Sequence, residues 1–232
     1  MNPNYSKALE KEIERIDREG TVPTLLLHSC CAPCSSYVME YLREHFAITV
    51  FYYNPNITAG EEYRYRLAEE KRLIEAYNKQ VDEQDFDGMH STSRAHKIAI
   101  LEAPYDPERY LSLVKGYEDC PEGGDRCSIC FEMRLRESAK VAREGGFDFF
   151  TTTLTISPLK NAQKLNQIGE AVGREYGVKF LPSDFKKKNG YKRSIELSRE
   201  FGLYRQNFCG CAFSKRDAIN KENKAPTGSA LA

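Results

Sequence analysis

Eight cysteines are the residues of this chain whose type and spacing could do chemistry. Seven of them fall into three short groups, and Cys120 stands alone. The groups are Cys30-Cys31 with Cys34, Cys127 with Cys130, and Cys209-Gly210-Cys211. A single free cysteine is commonly a small buried apolar residue. Three tight groups flanked by Pro, Gly, Ser and Arg instead indicate thiol–disulfide exchange or metal binding.

The first group follows an apolar run in the stretch LLLHSCCAPCSS. Its C-x-x-C spacing is typical of a dithiol, but a simple dithiol has no use for Cys30, and a disulfide between adjacent cysteines closes a strained ring. Cys30 and Cys31 are therefore interpreted as two metal ligands. Cys127 and Cys130, three residues apart at a predicted helix start, supply two more on one helix face. Four thiolates suit either zinc or an iron–sulfur cluster, and the spacing leaves both open.

The third group has a glycine between its cysteines, which permits the tight turn that a disulfide between Cys209 and Cys211 needs. Such a strained bridge is readily reduced, so we interpret the two cysteines as a redox-active pair. Ligation of zinc or a cluster is the main alternative, and inert thiols are another. Cys34 and Cys120 remain as candidates for a second metal or as residues that line the site.

Alternating helix and strand patterns predict the elements that position these residues. The predicted helices cover residues 7–18, 35–45, 61–78, 127–143 and 159–176, with another starting at Asp106-Pro107. The predicted strands cover 22–27, 46–53, 147–154 and 178–181, with a weaker one at 81–86. The order indicates an α/β fold with a doubly wound, mainly parallel sheet and helices on both faces. Ligands bind such sheets at the carboxyl ends of the strands, where Cys30 and Cys31 are expected, and no glycine-rich nucleotide loop follows a strand.

The composition limits compartment and partners. The 232 residues carry 34 basic and 34 acidic side chains, so no global field attracts nucleic acid. No segment is apolar enough for a membrane span and the polar start is unlike a signal peptide, so we expect a cytoplasmic protein with no membrane partner. We predict an N-terminal helix over residues 1–20, one α/β catalytic domain over 21–216 and a disordered tail over 217–232.

A local basic segment lies between residues 184 and 216, with nine Lys or Arg against three acids. Aromatic residues alternate with these charges, as expected for a surface that binds phosphates and stacks on bases. A solvated lysine-rich loop is the plainer explanation. The candidates for RNA binding are Lys186, Lys187, Lys188, Lys192 and Arg193. Lys160 is a further candidate because it follows the predicted fourth strand, although an ordinary lysine at a helix start explains it equally well.

The sequence resembles the cobalamin-independent epoxyqueuosine reductases of the QueH type. The resemblance lies in the stretches LLLHSCCAPCSSYV, FYYNPNI with EEYRYR, DCPEGGDRCSICFEMRL, FTTTLTISPLKN and YRQNFCGCAFS, from about Leu25 to Ser214. It implies two-electron reduction of the epoxide of epoxyqueuosine to queuosine at the wobble position of tRNA. This is the last step of queuosine biosynthesis. The electron donor is not identified by it.

The resemblance also implies a nucleotide-hydrolase-like (HUP-like) fold and assigns the cysteines. Cys30, Cys31, Cys127 and Cys130 would hold a [4Fe–4S] cluster at the carboxyl ends of the strands, Cys209 and Cys211 would be the redox-active pair, and an additional iron is left open. The alternatives are another tRNA-modifying enzyme of this superfamily, ATP-using or iron–sulfur, and a zinc-stabilised RNA-binding module without catalysis. HSCCAPCS replaces the phosphate loop that the ATP-using enzyme needs.

Overall fold

A computed structural model describes residues 3–86 and 94–224 of the chain. Its centre is a five-stranded sheet in the order β3-β2-β1-β4-β5, and every neighbouring pair of strands is parallel. The strands are β1 Thr24–Ser29, β2 Ala47–Tyr52, β3 Ala99–Glu102, β4 Phe149–Thr152 and β5 Lys179–Phe180. The predicted parallel sheet is confirmed.

The described residues form eight α-helices. They are α1 Tyr5–Glu19, α2 Ala32–Leu42, α3 Gly60–Glu83, α4 Pro107–Leu113, α5 Asp125–Glu144, α6 Ala162–Tyr176, α7 Gly190–Glu200 and α8 Ala212–Lys224. Side chains of β1 point alternately to the two faces of the sheet. Leu25 and Leu27 pack into one core cluster with α1, α2 and α3, whereas Leu26 packs into a second cluster with α5 and α6. Helices therefore cover both faces.

The register aligns the carboxyl ends of three strands. Ser29 lies opposite Tyr52 of β2, and His28 lies opposite Thr152 of β4. The chain runs outward from β1 through β2 to β3 and then returns to the other side of β1 with β4. The strand order thus reverses between β1 and β4, and the loop after β1 opens at the point where such sheets bind ligands.

Three predicted elements have different limits in the structure. The strand predicted over 81–86 is wrong, because α3 continues through Val81 to Glu83 and ends where Gln84 adopts a left-handed conformation. The third strand is Ala99–Glu102 instead. The helix predicted from residue 159 begins at Ala162, where Asn161 caps it by accepting a hydrogen bond from Lys164 N at 3.0 Å. A 3₁₀ helix, Thr153–Ile156, shortens the strand predicted over 147–154.

At the N-terminus, α1 lies within the helix predicted over residues 1–20, whereas at the C-terminus the structure differs from the prediction. α1 is amphipathic and packs its apolar face into the core on one side of the sheet. A disordered tail was expected from residue 217, but α8 continues to Lys224, and residues 225–232 lie outside the described residues. In the described ranges, every helix is too short or too polar to pass through a membrane.

Candidate metal and redox site

The loop after β1 brings three sulfur atoms together. Cys31 occupies the N-cap of α2 with Pro33 in the first turn, so the chain turns sharply from strand to helix. The sulfurs of Cys30, Cys31 and Cys34 all lie within 4.8 Å of one another, and those of Cys30 and Cys31 are 3.7 Å apart. Within the described ranges, this is the one group of three or more His, Cys, Asp or Glu side chains with metal-ligand spacing.

Protonation of these three thiols is linked. Hydrogen bonds from Cys31 and Cys34 hold the pKa of Cys30 well below its usual range, and the same contacts raise the pKa of Cys31 and of Cys34. Deprotonation is therefore favoured at Cys30 and disfavoured at Cys31 and Cys34. A thiophilic metal would displace the remaining protons, because only thiolates are ligands.

The other cysteines line an adjacent cavity. Cys127 and Cys130 lie on the first two turns of α5, and the backbone N–H of Gly123 donates to the Cys127 sulfur at 3.2 Å. Cys209 and Cys211 line the same cavity. Burial raises the pKa of Cys127 and of Cys130, which keeps these thiols protonated until a metal or a nearby positive charge favours the thiolate.

Gly210 allows the Cys209–Cys211 segment to approach its neighbours. It has a φ of +116°, and a Cβ placed there would meet Ile57 Cγ1 at 2.9 Å and Arg66 Nη1 at 3.2 Å. The positive φ and the lack of space for a Cβ each require glycine at this position. Cys211 lies just before α8, where Ser214 N donates to its sulfur at 3.3 Å.

Arg66 fixes this segment from α3. Its Nη1 donates to the carbonyl oxygen of Cys209 at 3.1 Å, and its Nη2 donates to that of Phe208 at 3.3 Å. Its Nε donates to Glu62 at 2.7 Å, and the side chain is buried. A single guanidinium thus ties the C-terminal cysteine pair to the helix that follows β2.

A cavity of about 290 Å³ opens beside the cysteines and is lined by residues from all parts of the site. Cys30, Cys34 and Cys209 line it together with Tyr191 and Arg205. Lys160 lines both this cavity and the one beside Cys127. Burial lowers the pKa of Lys160, but the charges of Cys209 and Cys30 raise it by more, so the ammonium stays charged.

Comparison with known proteins decides the family. The family model described as epoxyqueuosine reductase QueH matches residues 25–217. The chain belongs to the QueH family. It is 41% identical over 230 residues to the epoxyqueuosine reductase QueH of Staphylococcus aureus, covering 96% of this chain and 90% of that protein. It is 40% identical over 220 residues to the one of Streptococcus pyogenes, covering 93% and 81%. The one of Thermotoga maritima is 35% identical over 191 residues, covering 82% of this chain and 90% of that protein.

The structure divides seven of the cysteines of this chain into two sets. Cys34 joins Cys30 and Cys31, whereas Cys127 and Cys130 share their cavity with Cys209 and Cys211. Cys120 lines neither of the two cavities among the described residues. All eight cysteines are free thiols. Which of them are ligands and which exchange electrons stays a prediction.

Most of the basic residues predicted to contact RNA have acidic partners. Lys186 pairs with Asp184 at 2.8 Å, Lys188 pairs with Glu10, and Lys192 lies 3.9 Å from Glu196. Arg193 donates to the buried carboxylate of Glu40 through Nε at 3.1 Å and Nη2 at 2.7 Å. Arg193 therefore holds α7 against α2, which is a packing role. The ion pairs among the described residues do not include Lys187, which is exposed.

Three residues of the site were not predicted from the sequence: Arg66, Gln206 and Arg134. Gln206 Nε2 donates to the Cys31 sulfur at 2.9 Å. Arg134 Nη1 lies 3.7 Å from the Cys130 sulfur, one turn further along α5. The i, i+4 spacing of Cys130 and Arg134 was readable in the sequence. The other two contacts join segments more than 140 residues apart and gave no local signal.

Proposed function

We propose that this protein is an epoxyqueuosine reductase that converts epoxyqueuosine to queuosine at the wobble position of tRNA. The single observation that carries the proposal is the meeting of seven cysteines from separate parts of the chain at one edge of the sheet, beside a cavity that holds Lys160. Family membership supports the same reaction, because the relatives carry that name. The reaction would complete queuosine biosynthesis in the cytoplasm, where thiols stay reduced.

The reaction needs two electrons and two protons. Both C–O bonds of the epoxide break, a carbon–carbon double bond forms, and the oxygen leaves as water. Oxidation of the Cys209 and Cys211 thiols to one disulfide releases the two electrons and two protons required, so the reaction balances within this pair. An external reductant must then restore the dithiol. The glycine between the two cysteines supports this role, because it permits the tight turn that such a disulfide needs.

The cysteines fit an iron–sulfur cluster by the chemistry of their donors. Cys30, Cys31, Cys127 and Cys130 would hold a [4Fe–4S] cluster, and three of these sulfurs already accept N–H donors, from Gly123, Gln206 and Arg134. When bound, such a cluster supplies one-electron transfer and Lewis acidity. Cys34 would be the ligand of an additional iron, since its sulfur lies with those of Cys30 and Cys31.

Lys160 is proposed to act on the epoxide oxygen. Its ammonium group is charged and lines both cavities, so it faces the sulfurs of Cys30 and Cys209 and the space where a substrate would lie. A positive donor at that position would stabilise the oxygen as it acquires negative charge and would supply it with a proton. The disulfide-forming pair would reprotonate Lys160 after each reaction.

The tRNA is proposed to approach across the mouth of the larger cavity. Arg205 and Tyr191 line this cavity and are exposed, and Lys187 is on the same basic segment. A cation for the phosphates and an aromatic ring for base stacking are the elements that single-stranded RNA recognition uses. We further propose that the parallel sheet belongs to the nucleotide-hydrolase-like superfamily, with the nucleotide loop replaced by cysteines.

Two measurements test this function. In a strain that lacks the gene, epoxyqueuosine should accumulate in the tRNA, and the wild-type gene should restore queuosine. Mass spectrometry of the tRNA nucleosides measures both. Normal queuosine in the deletion strain would contradict the proposal. Protein purified without oxygen should be brown and contain iron and sulfide, whereas colourless protein with stoichiometric zinc would favour a zinc-stabilised RNA-binding module.

A further inference from the structure

Arg134 carries a permanent positive charge in the interior of the protein. Its side chain lies on α5 and is only 1% exposed. The ion pairs formed within residues 3–86 and 94–224 do not involve it. A guanidinium stays charged at every accessible pH, so this charge needs compensation from another kind of group.

The nitrogens of Arg134 are directed at the cysteines and at one histidine. Nε donates to His28 Nε2 at 3.2 Å, and Nη1 donates to the Cys130 sulfur at 3.7 Å. Nη2 is buried and has no hydrogen-bond partner among the described residues. Burial lowers the pKa of Arg134, and Cys130, Cys30 and Cys209, when ionised, raise it by more, so a thiolate or cluster charge at these sulfurs would face the guanidinium.

His28 cannot compensate the charge. It is fully buried on β1 between β2 and β4, and its Nε2 accepts a hydrogen bond from Arg134 Nε and so carries no proton, which leaves the ring without a charge. Moving an unpaired ion from water into a protein interior costs several kcal/mol, even after the protein relaxes. The groups beside the guanidinium that could carry a compensating negative charge are therefore the cysteine sulfurs.

We infer that Arg134 is a positioning residue that acts as the internal counter-charge of the anionic metal centre held by the cysteines, and that its charge and N–H donors make this centre easier to reduce. The inference rests on the proposed function, since it requires a redox centre at the cysteines. Reduction adds negative charge, which a nearby cation stabilises more than it stabilises the oxidised state. Hydrogen bonds to cluster sulfurs act in the same direction.

The test compares the reduction potential of the metal-loaded protein in three variants without tRNA. Arg134→Gln removes the charge, whereas Arg134→Lys keeps the charge but loses the planar guanidinium and its fixed N–H donors. Arg136→Gln is the matched control, because Arg136 lies on the same helix but is exposed and paired with Glu132 and Glu175. Iron content and visible absorption are measured for each protein, and the midpoint potential is obtained by reductive titration with mediator dyes.

We expect Arg134→Gln to have a more negative midpoint potential than wild type, Arg134→Lys to lie between the two, and Arg136→Gln to match wild type. An unchanged potential in Arg134→Gln would overturn the inference and leave the proposed function intact. A wild-type protein with no reducible centre would overturn both. A metal-free Arg134→Gln protein that is unfolded by circular dichroism, while metal-free Arg134→Lys folds, would assign Arg134 to the scaffold and also overturn the inference.

Discussion

The side-chain amide of Gln206 donates a hydrogen bond to the sulfur of Cys31 at 2.9 Å. This contact joins the loop after β1 to the C-terminal segment that carries Cys209 and Cys211. The Gln206 Oε1 atom is buried without a partner among the described residues, so the amide is oriented by the sulfur rather than by its oxygen. Gln206 therefore supports Cys31, one of the proposed metal ligands, through this hydrogen bond.

Replacement of Gln206 by Leu should weaken metal binding. Loss of an outer partner of a metal ligand typically lowers metal affinity by about 10–100-fold. We expect a loss in that range for Gln206→Leu, measured by the rate and extent of iron removal with a chelator under argon. Gln163→Leu, at an exposed position of α6, is the control and should match wild type. Equal iron retention in the two variants would show that the hydrogen bond does not support the site.

Single replacement of each proposed cluster ligand by Ala should remove the chromophore. Loss of any one thiolate from Cys30, Cys31, Cys127 or Cys130 leaves an iron open to solvent and oxidation. We expect the visible absorption, most of the iron and the activity to disappear together. Cys120→Ala is the control, because Cys120 lines neither cavity beside the site. A variant that keeps full iron and activity removes its residue from the ligand set.

The basic segment can be tested through the salt dependence of tRNA binding. Lys186→Ala combined with Lys187→Ala should weaken binding and reduce the slope of log K against log salt by about 1 for each lost phosphate contact. Cluster iron should not change. Lys11→Ala combined with Lys179→Ala is the control, since both residues border a pocket at the amino end of the sheet. If the slope of log K against log salt is the same for the Lys186 and Lys187 double variant as for the control, the basic segment is a solvated loop that does not contact tRNA.

Glu70 gives the metal-free protein a pH-dependent stability. Burial raises the pKa of this carboxyl from 4.5 to about 7, with the hydroxyls of Ser35 and Ser29 nearby. The unfolded chain releases the proton near pH 4.5, whereas the folded chain holds it to about pH 7. The stability contributed by the neutral acid is therefore complete below pH 4.5 and is lost as the pH rises to 7.

Glu70→Gln keeps a neutral side chain at every pH. It should match the stability of wild type near pH 4.5 and exceed it at pH 8, by at most on the order of 3 kcal/mol. Urea unfolding of the metal-free proteins at both pH values measures the difference, and Glu75→Gln, at an exposed position of α3, is the control. A difference that is the same at both pH values would contradict the raised pKa.

Local patterns predicted the sheet and the groups of cysteines well, because both depend on short-range spacing. The apolar run of β1 and the C-x-x-C and C-G-C spacings are visible in a few residues. The end of α3 was misjudged because Val81 favours strands, whereas the helix continues to Glu83 and ends where Gln84 adopts a left-handed conformation. The helix α7 and the start of α8 were not predicted, because they lie in the segment 184–216, which was interpreted only by its charge.

Long-range pairing accounts for what the sequence could not supply. Arg193 is a predicted RNA contact, and its ion pair with Glu40, which is 153 positions away in the sequence, was not foreseen. The sharing of one cavity by Cys130 and Cys211 likewise depends on the return of the chain after β5. Chain topology, rather than residue type, determines these contacts.

The most direct measurement follows one turnover of the purified protein with tRNA that contains epoxyqueuosine. Reduced protein is mixed with this tRNA under argon without an external donor, thiols are trapped, and nucleosides and peptides are analysed by mass spectrometry. We predict queuosine with an equal amount of oxidised Cys209–Cys211 pair in wild type. Cys209→Ser with Cys211→Ser should keep its iron and fail to turn over repeatedly with a donor. No queuosine from iron-loaded wild type, or full repeated turnover by the double variant, would contradict the account.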